Sequence, residues 1–416
     1  MSPPAEVLDL GDGYLLKWPE QHVNITVDYL QNQPQGLIGE VTITNGSATL
    51  CESLRINLNA EPKTKSIAKK VAECGGTLTL ADWARLIESS CILILRRHRQ
   101  GEPPIRLTKD SPIEALSYAL NPLVFDRKTT ILYGDGGLGK STLALLLAML
   151  VSTGGTVAGI SALPGRALYL DWEDSADAHT RRLRAIQAGH SDLSASSVLF
   201  RRSVEPLYKM VHSVVRQIKE EDITFVVVDS LLAATGGDSS AEGTAKLFAA
   251  LRLMNASVLA IGHVPKTQPE GQERVTVYGS VFNQNFARSV WELKKEQEVD
   301  SDTAILGVFN RKSNLSRLHL PIGLEVTQNA DNSLICYQPY DLSQAAELAT
   351  SLPLPSRVRN LLEDGAFRSS QEIAEELTAP LANVKNCLSR HKGSKWHQVG
   401  ENRESKWTVL NPKNNR

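Results

Sequence analysis

The segment Gly134-Asp135-Gly136-Gly137-Leu138-Gly139-Lys140-Ser141 constrains the fold of this chain more than any other feature. It satisfies the pattern GxxxxGK[ST], follows the apolar run Thr130 to Tyr133, and opens the helical run Thr142 to Val151. In this strand-loop-helix context the glycines let backbone N–H groups wrap a phosphate, and the helix N-terminus adds partial positive charge. We therefore expect a nucleotide-binding P-loop, extending from Gly134 to Thr142, in an α/β fold.

Two side chains of this loop and one distant carboxylate have predictable roles in such a site. Lys140 should reach the β- and γ-phosphates, and the Ser141 hydroxyl should bind Mg²⁺. The metal also needs a carboxylate at the end of a buried strand, and the run Phe225 to Val228 is followed by Asp229. Asp229 is therefore the Walker B candidate and, with Ser141, a predicted Mg²⁺ ligand.

Hydrolysis further requires a base or a water-positioning group near the γ-phosphate. The apolar run Ala167 to Leu170 is followed by three acids, Asp171, Glu173 and Asp174. Open α/β sheets bind ligands at the carboxyl ends of their strands, so any of the three could serve. A solvated acidic turn is the alternative interpretation, and the residues alone do not choose among the acids.

A later strand run ends in Ile261-Gly262-His263, followed by Val264-Pro265-Lys266. A polar residue at this position can sense the γ-phosphate and pass its state to the following loop, which makes His263 the sensor candidate. The polar segment from Lys266 to Gly279 is predicted either to contact DNA or to be a surface connection.

The pattern of runs predicts three domains. Residues 1–104 combine short alternating runs, with Asn45-Gly46 as a hairpin turn, and two helices, the second capped by Thr79. Residues 105–345 contain five buried β runs, the first four separated by helical stretches, which predicts a mainly parallel sheet. Pro353 and Pro355 mark a linker near the start of a third segment, residues 346–416.

The third segment resembles a winged helix-turn-helix domain. Three helices are predicted, the second opened by the capping box Ser369 to Glu372, and two short strands follow. Eight basic residues against Glu401 and Glu404 give the stretch from Leu381 onward a charge of +6. The predicted nucleic-acid contacts on and beyond the third helix are Asn383, Lys385, Asn386, Arg390, Lys392 and Lys395. A winged helix used for protein contact is the alternative.

The order of these motifs resembles the RecA-like P-loop ATPases and, more closely, the plasmid RepA-type hexameric replicative helicases, over roughly residues 120–326. The resemblance rests on the P-loop, on Tyr169-Leu170-Asp171-Trp172-Glu173-Asp174, on Asp229, and on His263 with Lys266. It also includes Gly279-Ser280 with Arg288 and the late basic pair Arg311-Lys312. The implied fold class is α/β, with a RecA-like P-loop NTPase core between an N-terminal α+β domain and the winged helix.

The resemblance also implies roles that the residues alone leave open. It selects Glu173 as the catalytic base, and it places Lys312 first, then Arg311, at the nucleotide of a neighbouring subunit as a trans-acting cation. ATP and Mg²⁺ are the implied ligands, and a homo-oligomeric ring, with a hexamer favoured, is the implied assembly. The RepA-type helicases are mostly the bare core, whereas this chain adds large segments on both sides.

The amino-acid composition limits the classes of partner. The 416 residues carry 45 Lys+Arg against 46 Asp+Glu, so the chain as a whole has no excess of positive charge that would indicate nucleic acid. Only the C-terminal stretch with a charge of +6 gives that indication. The five cysteines form no CxxC pair, and neither an apolar leader nor a membrane-length apolar run is present. We therefore expect a cytoplasmic protein without membrane contact.

The leading functional hypothesis is an ATP-hydrolysing helicase or translocase that acts on single-stranded DNA in replication, recombination or repair, with duplex DNA as a second candidate substrate. The alternative is a non-translocating, ATP-dependent DNA-binding switch in element maintenance, repair or defence. A regulator in which the winged helix is primary and ATP is structural is the third hypothesis.

Overall fold

The computed structural model describes residues 6–10, 13–74, 78–101, 104–113, 115–264, 285–400 and 405–410. The chain divides into two compact units: residues 1–115 with 209–221, and residues 116–208 with 222–416. The predicted contact residue Lys266, the segment up to Gly279 and the pair Gly279-Ser280 lie outside the described residues.

The helices are α1 (Glu61–Glu73), α2 (Leu80–Gln100), α3 (Lys140–Thr153), α4 (Ala176–Gly189), α5 (Leu207–Glu220), α6 (Leu231–Ala234), α7 (Ala241–Leu253), α8 (Leu354–Leu362), α9 (Ser370–Glu376) and α10 (Leu381–Arg390). The strands are β1 (Glu6–Asp9), β2 (Tyr14–Trp18), β3 (Val23–Gln33), β4 (Gly36–Asn45), β5 (Ala48–Asn57), β6 (Tyr118–Asn121), β7 (Val124–Phe125), β8 (Thr129–Gly134), β9 (Thr156–Val157), β10 (Ile160–Ala162), β11 (Arg166–Asp171), β12 (Leu199–Arg202), β13 (Ile223–Asp229), β14 (Ser257–His263), β15 (Ser289–Glu296), β16 (Thr303–Ser313), β17 (Ile322–Gln328), β18 (Ile335–Pro339), β19 (Arg368–Ser369), β20 (Trp396–Val399) and β21 (Lys406–Val409).

The first unit contains an antiparallel meander, in which β1 to β5 follow one another in sequence order, together with α1 and α2. The β4–β5 hairpin turns at Gly46, whose φ of 58° is a conformation that glycine adopts without steric cost. Thr79 accepts from the backbone N–H of Asp82, and the Asp82 side chain accepts in return, so α2 begins in a capping box. The predicted turn and the predicted cap are both confirmed.

The second unit is organised around a mixed sheet. Within the described residues its strand order is β12-β11-β13-β14-β8-β15-β16-β17-β18. The strands from β12 to β15 run parallel, and those from β15 to β18 pair antiparallel. Helix α3 is buried over most of its surface, from Leu143 to Val151, which is the pattern of a helix inside the core rather than on the surface.

This strand order determines which loops meet. Strand β14 lies between β8, which leads into the P-loop, and β13, which ends in Asp229. Because β11, β13, β14 and β8 are parallel, their carboxyl ends share one edge of the sheet. The register pairs Asp171 with Asp229 and His263 with Gly134. Residues far apart in the sequence are thereby brought to one site.

The C-terminal elements of the second unit follow the order α8, β19, α9, α10, β20, β21, and β21 pairs with both β19 and β20. Their apolar core includes Val358, Ile373, Leu388, Trp396 and Trp407. The predicted capping box is present, because Ser369 accepts from the backbone N–H of Glu372 and the Glu372 side chain accepts from that of Ser369. All five predicted elements are found, and β19 is an addition.

The predicted β runs of the core all lie inside observed strands, whereas other boundaries differ. Helix α1 begins at Glu61, five residues before its predicted start at Ser66, with a proline in its first turn. Strands β12 and β15 were not predicted, since β12 is a short edge strand and β15 carries Lys294, Lys295 and Glu296 at one end. Among the described residues, no helix is both long and apolar enough to cross a membrane.

Candidate functional site

The P-loop forms an open cradle between β8 and α3. Gly137 and Gly139 have φ values of 77° and 84°, and a Cβ atom at either position, or at Gly136, would meet nothing within 4 Å. The ammonium of Lys140 donates to the carbonyl oxygens of Gly134 and Asp135, and the side chain is only 4% exposed. Burial lowers the pKa of Lys140, against the opposing effect of nearby carboxylates. The loop therefore has space for a phosphate and a cation at its base.

Asp229 lies at the same edge of the sheet and is held by two hydroxyl groups. The hydroxyl of Tyr169 donates to Oδ2 of Asp229 at 2.7 Å, and the Ser141 side chain is also hydrogen-bonded to this carboxylate. Burial raises the pKa of Asp229, and these two hydrogen bonds oppose the rise. The predicted pair of Mg²⁺ ligands, Ser141 and Asp229, is thus in direct contact.

The three acids at the end of β11 and just after it have different environments. Asp171 is 2% exposed and accepts hydrogen bonds from the backbone N–H groups of Glu173 and Asp174 and from His179. Asp174 forms an ion pair with Arg182 at 2.7 Å. Glu173 accepts a 2.7 Å hydrogen bond from the hydroxyl of Ser230, the residue after Asp229. Of the three, only Glu173 is directed toward the Walker B strand.

His263 ends β14 in register with Gly134, the first residue of the P-loop. Burial and the neighbouring Lys140 cation lower the pKa of His263, while Glu173 and Asp229 act in the opposite direction. A neutral imidazole therefore stands within electrostatic range of the P-loop lysine, the candidate base and the candidate metal ligand at pH 7.

Comparisons with known proteins find partial matches to this chain. Residues 98–269, less than half of the chain, match a family model described as an AAA domain (AAA_25). The protein described as DNA repair protein RadA from Mycobacterium tuberculosis, in strains CDC 1551 / Oshkosh and ATCC 25618 / H37Rv, is 30% identical over 167 residues. That match covers 37% of this chain and 30% of each relative, so it spans less than a third of the relatives' length.

Among solved structures, the chain is similar to the crystal structure of the KaiC-like protein PH0186 from Pyrococcus horikoshii OT3. The TM-score is 0.40 at 15% identity, and the alignment covers 55% of this chain and all of that one. The P-loop, the order of the parallel strands and the partial match to the AAA-domain model point the same way. The chain contains a P-loop ATPase core that is similar to RecA-like ATPases.

Of the late basic pair, Lys312 lies away from the P-loop of its own chain. In the sheet Lys312 pairs with Val290 on β15, and Val290 pairs with Ile131 on β8. Lys312 is therefore two strands away from β8 and level with a residue three positions before Gly134. This places the Cα atoms of Lys312 and Gly134 on the order of 14 Å apart. Its ammonium donates to the carbonyl oxygens of Asn285 and Ala287 at 3.1 and 3.0 Å. Burial and then the Arg288 cation lower the pKa of Lys312.

Arg311 has a different partner from Lys312. Its guanidinium forms an ion pair with the buried Glu292 at 2.6 Å and lies over the ring of Phe309. Glu292 pairs in the sheet with Tyr133, the residue before the P-loop. Arg311 therefore neutralises a buried carboxylate inside the ATPase core, and this role was not predicted from the sequence.

The predicted nucleic-acid residues of the C-terminal segment all have exposed side chains. They are Asn383, Lys385, Asn386, Arg390, Lys392 and Lys395. Val384, Cys387 and Leu388 occupy the opposite, buried face of α10. Within the described residues none of the four cations forms an ion pair, whereas Arg368, between α8 and α9, pairs with Asp364 and Glu376.

Sequence reasoning missed three groups that complete the site: the hydroxyls of Tyr169 and Ser230 and the imidazole of His179. Each contacts a residue on another element: Asp229, Glu173 and Asp171 respectively. A polar group on an otherwise apolar strand, as at Tyr169, was the one available signal, because a buried hydroxyl normally has a hydrogen-bond partner.

Proposed function

We propose that this protein hydrolyses ATP with Mg²⁺ in a ring of identical subunits and acts on DNA as a helicase or translocase. The observation that carries the proposal is the juxtaposition of Glu173, held by Ser230, with Asp229, Ser141 and Lys140 at one sheet edge. This set contains a cation for the phosphates, a metal-binding pair and a base for the attacking water.

The described residues suit Mg²⁺ bound together with nucleotide. No group of three or more His, Cys, Asp or Glu residues in the described part of the chain could hold a metal ion by itself. Mg²⁺ usually keeps several waters and binds through one or two protein oxygens plus the substrate phosphates. Ser141 and Asp229 would hold the ion, which would neutralise charge on the phosphates, and Glu173 would accept the proton of the attacking water.

The position of Lys312 supports a ring. A cation that is to offset charge on the transferring phosphoryl group must reach it, and Lys312 is remote from the P-loop of its own chain. A neighbouring subunit whose P-loop faces Lys312 would meet this need. Lys312 is thus the proposed trans-acting cation, and a hexamer is the favoured ring.

The exposed basic face of α10 supports DNA as the partner. A winged helix that inserts α10 into the major groove would place Lys385 and Arg390 near the phosphates, with Lys392 and Lys395 beside them. The relative from M. tuberculosis is described as a DNA repair protein. These points favour action on DNA over a purely protein-binding module.

The first test measures ATP hydrolysis with and without single-stranded DNA, followed by strand displacement. Lys140→Ala should abolish nucleotide binding, and Glu173→Gln should retain binding while lowering kcat by about 10²- to 10⁴-fold. Lys128→Ala and Glu205→Gln are matched controls, since both residues are exposed. DNA-stimulated hydrolysis without strand displacement or movement would replace the motor with the ATP-dependent switch.

The second test mixes two inactive variants, Lys140→Ala and Lys312→Ala. If Lys312 acts in trans, a mixed ring contains interfaces that join an intact P-loop to an intact Lys312, so hydrolysis should return above either variant alone. If Lys312 acts within its own chain, every subunit of the mixture is defective and no activity returns.

A further inference from the structure

Asp171 uses both of its carboxylate oxygens inside the protein. Oδ1 accepts from the backbone N–H of Glu173 at 2.6 Å and of Asp174 at 2.7 Å. Oδ2 lies 2.7 Å from Nε2 of His179, on the first turns of α4. The carboxylate therefore closes the turn that carries Glu173 and fastens this turn to a helix.

His179 is buried and its ring is confined. Its side chain packs against the rings of Tyr169 and Phe200, with centroid separations of 4.4 and 5.0 Å. Burial raises the pKa of Asp171, but the hydrogen bonds from His179 and from the two backbone groups outweigh it, and the pKa falls. Asp171 is thus a carboxylate acceptor, which assigns the proton of this contact to Nε2 of His179.

The same turn is fastened on its other side. The backbone N–H of Trp172 donates to the carbonyl of Asp229 at 3.0 Å, and the carbonyl of Asp171 accepts from Ser203 N–H at 2.7 Å. The Glu173 carboxylate itself accepts from Ser230. Asp171 holds the main chain of Glu173 while Ser230 holds its side chain, so both ends of this residue are placed.

We propose that Asp171 and His179 form a positioning pair that sets Glu173 for ATP hydrolysis. This inference rests on the proposed function, in which Glu173 is the base. A base has to lie within hydrogen-bond reach of the attacking water, and a displacement of about 1 Å can cost roughly 100-fold in rate. Neither Asp171 nor His179 touches the nucleotide in this scheme, because both act through the turn.

The test compares two substitutions of His179 in the full-length protein. His179→Gln retains an N–H donor close to the position of Nε2, whereas His179→Phe retains ring packing without a donor. We expect His179→Phe to lower kcat by about 10- to 100-fold with unchanged KM for ATP and unchanged binding of a fluorescent ATP analogue. His179→Gln should recover most of that loss.

A second arm separates positioning from general damage. In a Glu173→Gln background the base is already absent, so adding His179→Phe should lower the residual rate no further. A further fall by the same factor as in the wild type would overturn the proposal, as would an unchanged kcat in folded His179→Phe or a parallel loss of nucleotide binding.

If His179→Phe does not fold, Asp171→Asn provides a second test of the proposal. The amide has the same shape but is a weaker acceptor for the two turn N–H groups, so kcat should fall about 3- to 30-fold at constant KM. A rise in KM with unchanged kcat would overturn the proposal that Asp171 and His179 position Glu173. Failure of the proposed function would look different: the wild type would not hydrolyse ATP, or Glu173→Gln would be fully active.

Discussion

The hydroxyl of Tyr169 donates a 2.7 Å hydrogen bond to Oδ2 of Asp229 inside the central sheet. The two residues lie on the adjacent parallel strands β11 and β13, and Asp229 is 5% exposed. A buried carboxylate needs such donors, and this one also fixes the orientation of a proposed Mg²⁺ ligand.

Tyr169→Phe should therefore affect both stability and metal use. The substitution removes one of the two hydroxyl donors to a buried carboxylate, which should lower the free energy of unfolding by about 1–2 kcal/mol in urea denaturation. The Mg²⁺ concentration that supports half-maximal hydrolysis should rise about tenfold. The control is Tyr337→Phe, because Tyr337 is another buried tyrosine but lies on the edge strand β18, away from Asp229. Equal effects of the two substitutions would contradict the prediction.

Substitution of Arg311 should affect stability, whereas substitution of the adjacent Lys312 should affect catalysis. Arg311→Ala leaves the buried Glu292 without its cation, so the free energy of unfolding should fall by about 1–3 kcal/mol. Lys312→Ala should lower kcat by about 10³-fold or more while nucleotide binding stays nearly intact. Lys69→Ala, at an exposed position of α1, serves as the control. Loss of ATP binding in Lys312→Ala would place this residue in its own subunit's pocket.

His190 should contribute to acid sensitivity. Its Nε2 accepts a 2.9 Å hydrogen bond from the backbone N–H of Tyr337, and burial lowers its pKa against the opposing charge of Asp192. Below about pH 6.5 the unfolded chain binds a proton that the folded chain does not, so stability falls as the pH drops toward the folded pKa.

Urea denaturation at several pH values between 7.5 and 5.5 measures this effect. One such proton corresponds to a slope of at most about 1.4 kcal/mol per pH unit. His190→Gln offers a carbonyl acceptor that does not titrate, so its slope should be shallower than that of the wild type. The lowered pKa values of His263 and His319 leave part of the slope in place. Identical slopes would exclude a contribution from His190.

The exposed cations of α10 and its following turn should govern DNA affinity. Single alanine substitutions of Lys385, Arg390, Lys392 and Lys395 should each weaken binding across sequences and reduce the salt slope by about one unit. Arg359→Ala is the matched control, because Arg359 is an exposed cation on α8 that pairs with Glu363. Titrations with single-stranded and duplex DNA distinguish the two substrates, and unchanged salt slopes would favour a protein-binding module.

Much of the core could be predicted because its signals are local. Apolar runs such as Thr224 to Val228 lie within observed strands, and the glycine pattern before Lys140 occurs where a strand turns into a helix. The N-cap residue Thr79 and the capping box of Ser369 with Glu372 were also recognisable, since each signal lies within one turn of its helix.

Other features were beyond such reasoning. Strand β15 has no uniform alternation, yet it lies beside β8 because the sheet continues past the P-loop strand. The pairing of Arg311 with Glu292 depends on an antiparallel register with an irregularity between Val290 and Trp291. No pattern within either segment indicates that register.

The sequence by itself determined the parts of the nucleotide site: a glycine loop with Lys140 and Ser141, a strand ending in Asp229, and three acids after another strand. Tertiary structure decided what each acid does. Asp171 and Asp174 are engaged by His179 and Arg182, and Glu173 is held by Ser230. The physical reason is that parallel strands joined by long crossovers bring together hydrogen-bond partners such as Glu173 and Ser230, which lie 57 residues apart.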